Sequence, residues 1–193
     1  NTGPARKVGE KTVIIDSLDM GRRAYSYIPG QRRVKLAPDL SYDTPSPSIG
    51  GTETMDQAFL FYGSLERYDF KLVGKRETFI NYNSFITTDY KKCPLAVWAT
   101  KNFANPDCVR WELHRTWVID ARLKPGFRHI YPRRTMYFDE DNLGAGTGEY
   151  YDAAGTIYRF TNITTLPLPG GEFGSIAENT YTTDLQTGTW AAN

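Results

Sequence analysis

From Val109 to Leu123 the chain alternates. Val109, Trp111, Leu113, Trp117, Ile119, Ala121 and Leu123 are apolar, while Arg110, Glu112, His114, Thr116, Asp120 and Arg122 between them are polar. A repeat of two marks a strand with one face turned to a core. Lys124-Pro125-Gly126-Phe127 follows as a tight turn, with Pro at the second position and Gly at the third, where a positive φ is required. Pairing the flanking strands about that turn sets Ala121 opposite Ile130, Trp117 opposite Arg134, Arg115 opposite Met136 and Leu113 opposite Phe138, a mostly apolar face. The other face then carries Arg122 with His129, Asp120 with Tyr131, His114 with Tyr137 and Glu112 with Asp139.

A second hairpin is predicted where Arg22–Ile28 enters Pro29-Gly30 and Gln31–Leu36 leaves it. Thr12–Ile15, Tyr68–Val73, Lys75–Ile80, Gly148–Asp152 and Thr156–Asn162 also read as strands, the last two joined by a turn at Asp152-Ala153-Ala154-Gly155. Helical periodicity is confined to Thr54–Tyr62, where Met55, Ala58, Phe59 and Tyr62 share one side and Thr54 with Gln57 has capping-box spacing. Asp39–Gly51 and Thr164–Gly174, rich in Pro, Gly, Ser and Thr, read as irregular, and the second is expected to set the last strand apart from the main sheet. The expected fold is mainly β: a curved antiparallel meander of about seven to ten strands with one or two short helices, in a single domain over residues 1–193.

Composition narrows the function. Lys plus Arg at 23 nearly cancels Asp plus Glu at 22, so no overall field steers the chain to nucleic acid, and the pairs Arg22-Arg23, Arg32-Arg33 and Arg133-Arg134 are scattered. No stretch approaches the roughly 20 apolar residues of a membrane-spanning helix. Cys93 and Cys108 flank a loop with Pro94, Asn102, Asn105 and Pro106; they are either a bridge, worth about 3 kcal/mol and requiring an oxidising compartment, or two free thiols.

No catalytic constellation emerges. His114 and His129 fall several residue pairs apart on the predicted hairpin, too far to share a metal ion, and no Ser or Cys has a convincing base beside it. GxSxG, Walker, HExxH and GxGxxG patterns are absent, and Gly144-Ala145-Gly146-Thr147-Gly148 opens no helix that would hold a phosphate. Asp139-Glu140-Asp141 reads as a solvated turn, with calcium binding the lesser alternative because its oxygen ligands are close together but no EF-hand spacing follows, and the sequon Asn162-Ile163-Thr164 matters only in a eukaryotic secretory host. The expectation is therefore a non-enzymatic protein without a metal or other cofactor. Its binding surface is the apolar side of the sheet: Trp111, Leu113, Trp117, Ile119, Met136 and Phe138 for an apolar ligand, with Arg115 or Arg134 for an anionic headgroup. Set against this is an ordinary packed core with both arginines solvated at the rim.

Several quoted segments carry a resemblance. Tyr25-Ser26-Tyr27-Ile28-Pro29-Gly30-Gln31-Arg32-Arg33-Val34, Tyr42-Asp43-Thr44-Pro45, Arg67–Lys75, Val109–Val118 and His129-Ile130-Tyr131 resemble a bacterial family of unknown function, the one numbered 1329. The resemblance spans most of the chain and is to the carboxy-terminal half of family members. It implies an absent secretion signal and amino-terminal portion, kinship with outer-membrane lipoprotein-sorting factors, and a Lol carrier-type half-barrel whose concave side holds acyl chains. It supplies no catalytic residues. The resulting expectation is a periplasmic module of a Gram-negative bacterium, near the outer membrane, that binds a lipid or other apolar small molecule and hands it on. The alternative is an interaction protein that docks an outer-membrane, porin or exporter partner without a ligand. A hydrolase using His114 or His129 ranks third.

Overall fold

The computed structural model describes residues 8–17, 21–38, 40, 42–144, 146–168 and 175–192. Among the described residues, ten strands form two antiparallel sheets. A small sheet in the order β1-β2-β3 holds β1 (Lys11–Ile15), β2 (Arg23–Ile28) and β3 (Arg33–Leu36). The large sheet is a seven-stranded meander in the order β10-β9-β8-β7-β6-β5-β4. Its strands are β4 (Tyr68–Asn81), β5 (Trp111–Leu123), β6 (Arg133–Asp139), β7 (Gly146–Tyr151), β8 (Ile157–Pro167), β9 (Ser175–Asp184) and β10 (Thr189–Ala192). It does not close into a barrel. It bends enough at one end, however, for the amide of Ser84, just past β4, to reach the Thr165 carbonyl of β8 at 2.9 Å, although three strands lie between β4 and β8.

The alternation over Val109–Leu123 does form a strand, β5, but the register about its turn is shifted by four residues. Ala121 lies opposite Arg134, Ile119 opposite Met136 and Trp117 opposite Phe138. The Lys124–Phe127 turn forms, with Gly126 at φ 88° and the Phe127 amide bonded to the Lys124 carbonyl. Pairing nevertheless resumes only at Leu123, whose amide reaches the Pro132 carbonyl. Pro132 has no N–H to continue a ladder, and Tyr131 turns its ring inward instead, fully buried. Because four is even, every residue keeps its face.

The other departures are local. Tyr68–Val73 and Lys75–Ile80 are one strand, β4, interrupted by a bulge between Leu72 and Gly74, where Gly74 takes φ 134°. The β2–β3 connection uses Arg32 in the left-handed region, not Gly30, with its amide on the Ile28 and Pro29 carbonyls. The last strands are not set apart: β9 pairs along β8 from Pro167 onward and β10 pairs with β9. Residues 169–174 of the irregular segment lie outside the described residues. The Asp152–Gly155 turn closes as expected, with Asp152 Oδ1 accepting the Ala154 and Thr156 amides.

Thr54–Tyr62 is not an amphipathic helix. Only Ala58–Leu60 makes a single 3-10 turn, and Phe59 and Leu60 both take positive φ. Half of the capping box survives: Gln57 Oε1 accepts the Thr54 amide at 3.3 Å, but Thr54 Oγ1 goes to Asp56 instead. The segment is a plug. Pairing of Pro45 with Thr54 folds it back on itself, and it lies against the face of the large sheet that carries Tyr68, Ala121, Arg134, Tyr150 and Ile163. Leu60, Tyr68, Ala121, Met136 and Ile163 form the core there, with Phe61, Ile119 and Phe138 packed around them.

A second cover, residues 82–110, contains the helical turn α1 (Leu95–Trp98) and the bonded pair Cys93–Cys108, Cα atoms 5.7 Å apart. It packs Trp98, Ala104 and Val109 against Tyr181, Trp190 and Ala192. The Gly-rich run has a packing cause. Gly146 faces Phe138 in the β6–β7 ladder, and a Cβ there would collide with the Tyr137 carbonyl; Ala145 lies outside the described residues. The sequon asparagine Asn162 is buried.

Candidate functional site

The register puts all the sequence-derived wall residues on one face of the large sheet: Trp111, Leu113, Arg115, Trp117, Ile119 and Ala121 from β5 with Arg134, Met136 and Phe138 from β6. The plug divides this face into a sealed half and an open half. Met136 and Arg134 are buried under the plug, so a ligand reaches them only if the plug moves, while Ile119 and Phe138 lie half-buried at its margin. Outside it lie Trp111 and Leu113, the latter 56% exposed.

The sealed half is polar at its centre, contrary to the expectation of an apolar wall. Arg134 has no exposed surface, so it is not solvated at a rim. Its Nη2 donates to Asp56 Oδ2 at 2.5 Å and to the Tyr68 hydroxyl at 3.0 Å, and its guanidinium sits 4.7 Å from the Tyr68 ring centre and 5.2 Å from that of Phe61. His129 completes the group. Its Nδ1 accepts the Tyr131 amide at 2.9 Å, which places an imidazole proton on Nε2, 3.2 Å from Asp56 Oδ1. Burial pushes the Asp56 carboxyl up, but Arg134 and His129 together outweigh it and hold the group below the usual carboxylate range. Burial likewise drives the Tyr68 hydroxyl up to about 12.

A second buried network adjoins the first. Arg159 bonds to Asp184 Oδ2 at 3.3 Å and to the Tyr131 hydroxyl at 2.7 Å; that hydroxyl donates to Gln57 Oε1, and Gln57 Nε2 reaches Thr161 at 2.7 Å. Glu53 accepts from Thr182 at 3.3 Å. Burial is the largest influence on Glu53 and pushes its carboxyl up to about 7, opposed by the Thr182 bond and by Arg159. A plug held by charge-assisted hydrogen bonds has one geometry, because each partner would be stranded in any other.

The open half runs along β4 and β5. Phe79 lies directly opposite Leu113 and Asn81 opposite Trp111, and Phe79 is 62% exposed. Between this patch and the plug runs a charged band. Lys75 lies opposite Trp117 and stands 4.2 Å from its ring centre, Arg115 lies opposite Glu77, and Lys75 and Arg115 both pair with Glu140. Beyond the band, Leu72 is 60% exposed. The wall is a surface, not an enclosed chamber. Recesses are found elsewhere: about 410 Å³ between the small sheet and Tyr42, and about 280 Å³ beside Cys93 and Trp98.

Each histidine belongs to a different cluster. His129 is in the seal, and His114 is on the opposite face of the sheet, its Nδ1 2.8 Å from Asp139 Oδ1. The four-residue shift is why Asp139, and not Tyr137, meets His114. Sequence reading missed Asp56, Glu53, Gln57 and Arg159. The available signal was Arg134 itself, since an arginine on an inward face demands a carboxylate.

Among curated proteins, the chain is 40% identical over 161 residues to the uncharacterized protein PA3922 of Pseudomonas aeruginosa; the match covers 82% of this chain and 35% of that protein. A crystal structure of a DUF1329 family protein from Desulfovibrio piger is similar in fold, with a TM-score of 0.61 at 13% identity, covering 99% of this chain and 65% of that one. A domain described as an outer-membrane lipoprotein-sorting protein from Vibrio parahaemolyticus gives 0.60 at 12% identity, covering 99% and 64%. The LolA superfamily protein NE2245 from Nitrosomonas europaea gives 0.52 at 11%, covering 99% and 65%. The chain thus spans about a third of the Pseudomonas protein and just under two thirds of each solved neighbour. The chain is similar in fold to these three structures, and with a family model matching residues 1–193 it belongs to DUF1329, a family described as proteins of unknown function.

Proposed function

We propose that this chain is a non-enzymatic binding module for a lipid or other apolar ligand, acting in the periplasm and passing its ligand toward the outer membrane. The observation that carries the reading is the open half of the wall. Phe79, Leu113 and Trp111 present contiguous apolar surface on the face that the plug leaves uncovered. Surface of this kind on a rigid sheet marks a place where something apolar is received. The band beside it supplies the polar end. Lys75 and Arg115 face the carboxylates of Glu140 and Glu77, so the band is balanced in charge, and the N–H donors of Lys75 and Arg115 offer polar contacts for a headgroup while an acyl chain lies over Phe79 and Leu113. The fold shared with the LolA superfamily supports the reading, as does the description of the Vibrio parahaemolyticus neighbour as a lipoprotein-sorting domain.

Burying an apolar side chain of this size against a ligand is worth about 1.5–3 kcal/mol. Phe79→Ser with Leu113→Ser should therefore weaken binding of a fluorescent fatty acid at least tenfold, with an unchanged melting temperature because both side chains are exposed. Equal affinity in the double variant rejects the site.

One observation favours a second reading, a protein-docking role. β4 is the outermost strand of the large sheet and is 14 residues long, an edge suited to strand addition by a partner. Co-purification with a membrane protein that survives the Phe79/Leu113 double substitution, in a chain that retains no lipid by native mass spectrometry, would select it over the carrier reading.

A further inference from the structure

We propose that His114, Asp139 and Asp141 form a site for a divalent transition-metal ion, with zinc as the reference ion, on the face of the sheet opposite the open wall. Thr116 pairs with Asp139 across β5 and β6, so His114, two positions along on the same face, lies diagonal to Asp139. The turn that follows β6 brings round Asp141. One ligand atom from each of the three lies within 4.8 Å of the others, and among the described residues no other group of three His, Cys, Asp or Glu side chains does so. One imidazole nitrogen and two carboxylate oxygens are the donor set of an open zinc-type site, leaving a fourth position for water or a ligand.

Two independent features point to a cation. The Asp139 side chain is 1% exposed, and among the described residues its ion-pair partner is an imidazole rather than Lys or Arg, so a buried carboxylate lacks a permanent counter-charge. The surroundings are also those of a metal-bound imidazole. Without an ion, His114 Nδ1 donates to Asp139 Oδ1 at 2.8 Å; Glu112 Oε2, 3.5 Å from Nε2, is placed to receive the imidazole proton there once a metal takes its place at Nδ1. Glu112 is itself fixed by Asn83 and Arg110, each at 2.9 Å. The Tyr82 ring lies 4.2 Å from the imidazole, and the Asn142 amide donates to Asp139 Oδ2 at 3.2 Å, so ring and carboxylate are both oriented. His129 is sealed under the plug and both cysteines are bonded to each other, which leaves His114 as the imidazole open to an ion.

Zinc chloride alone, titrated calorimetrically into the chelator-treated 193-residue chain, should bind at one ion per chain and raise the melting temperature. His114→Gln and Asp141→Asn should each weaken binding at least tenfold; Asp141 is exposed, so its replacement should also leave the zinc-free melting temperature unchanged, which keeps the test separate from stability. Glu112→Gln should weaken binding less than either. Absence of stoichiometric binding, or wild-type affinity in His114→Gln or Asp141→Asn, overturns the site.

Discussion

Replacing Arg134 with Met should cost about 3–5 kcal/mol of stability, because it strands the buried Asp56 carboxylate. In a chain of this size that lowers the melting temperature by roughly 10 °C or more. The cause is in the seal: Arg134 is fully buried, and its guanidinium serves Asp56 and the Tyr68 hydroxyl while lying against aromatic rings. Lys should rescue little, since a single ammonium cannot reproduce a planar fork that bonds two partners and stacks on rings. The informative companion is Asp56→Asn. Removing both charges together should cost less than the two single losses summed, by 1 kcal/mol or more, because each single variant leaves a lone charge behind. Chemical denaturation of the four proteins closes the cycle. Strict additivity would show that the pair does not lock the plug.

The second large effect is on the pH profile and comes from Glu53. Burial lifts its carboxyl from the ordinary 4.5 to about 7 in the folded chain. Between those values the folded state holds a proton that the unfolded state has released, so the contribution of Glu53 to stability is greatest below about pH 4.5, falls as pH rises through the window, and levels off above about 7. At about 1.4 kcal/mol for each pH unit, the full swing is about 3 kcal/mol. Glu53→Gln imitates the protonated acid and keeps the Thr182 contact. It should therefore match the parent near pH 4 and exceed it at pH 8 by about 2–3 kcal/mol. Parallel profiles for parent and variant across pH 4–8 would place the charge of Glu53 in contact with water after all. Since Glu53 immediately precedes the plug and bonds to Thr182 of the sheet, the same measurement reports how pH loosens the cover over the sheet.

How much of this was legible from sequence follows the range of the interactions involved. The alternation in β5 predicts its face correctly, because side-chain direction in a strand is decided by nearest neighbours. The turn at Pro125-Gly126 is correct for the same reason. The register is not, since five residues from Arg128 to Pro132 leave the ladder so that Tyr131 can reach Gln57. A last strand is expected beyond residue 174, but β9 and β10 are not delimited in the sequence because residues 178–183 have no apolar alternation; the run of Thr and Tyr there is the usable signal. Arg134 announces a need for a partner, but Asp56 lies 78 positions away in an irregular segment whose periodicity imitates a helix. The plug is held by tertiary bonds alone, and no local pattern encodes those.

The distance along the chain between the plug and its anchors also orders the assembly of the molecule. Gln57 touches Thr182, 125 positions later, and Asp56 waits for Arg134. During synthesis the plug residues emerge first and have nowhere to dock until β6 through β9 exist. Closing loops of that length is slow. The meander should therefore assemble while its greasy side is still bare, passing through a transient open form in which Leu60, Met136 and Ile163 are briefly accessible to whatever is nearby.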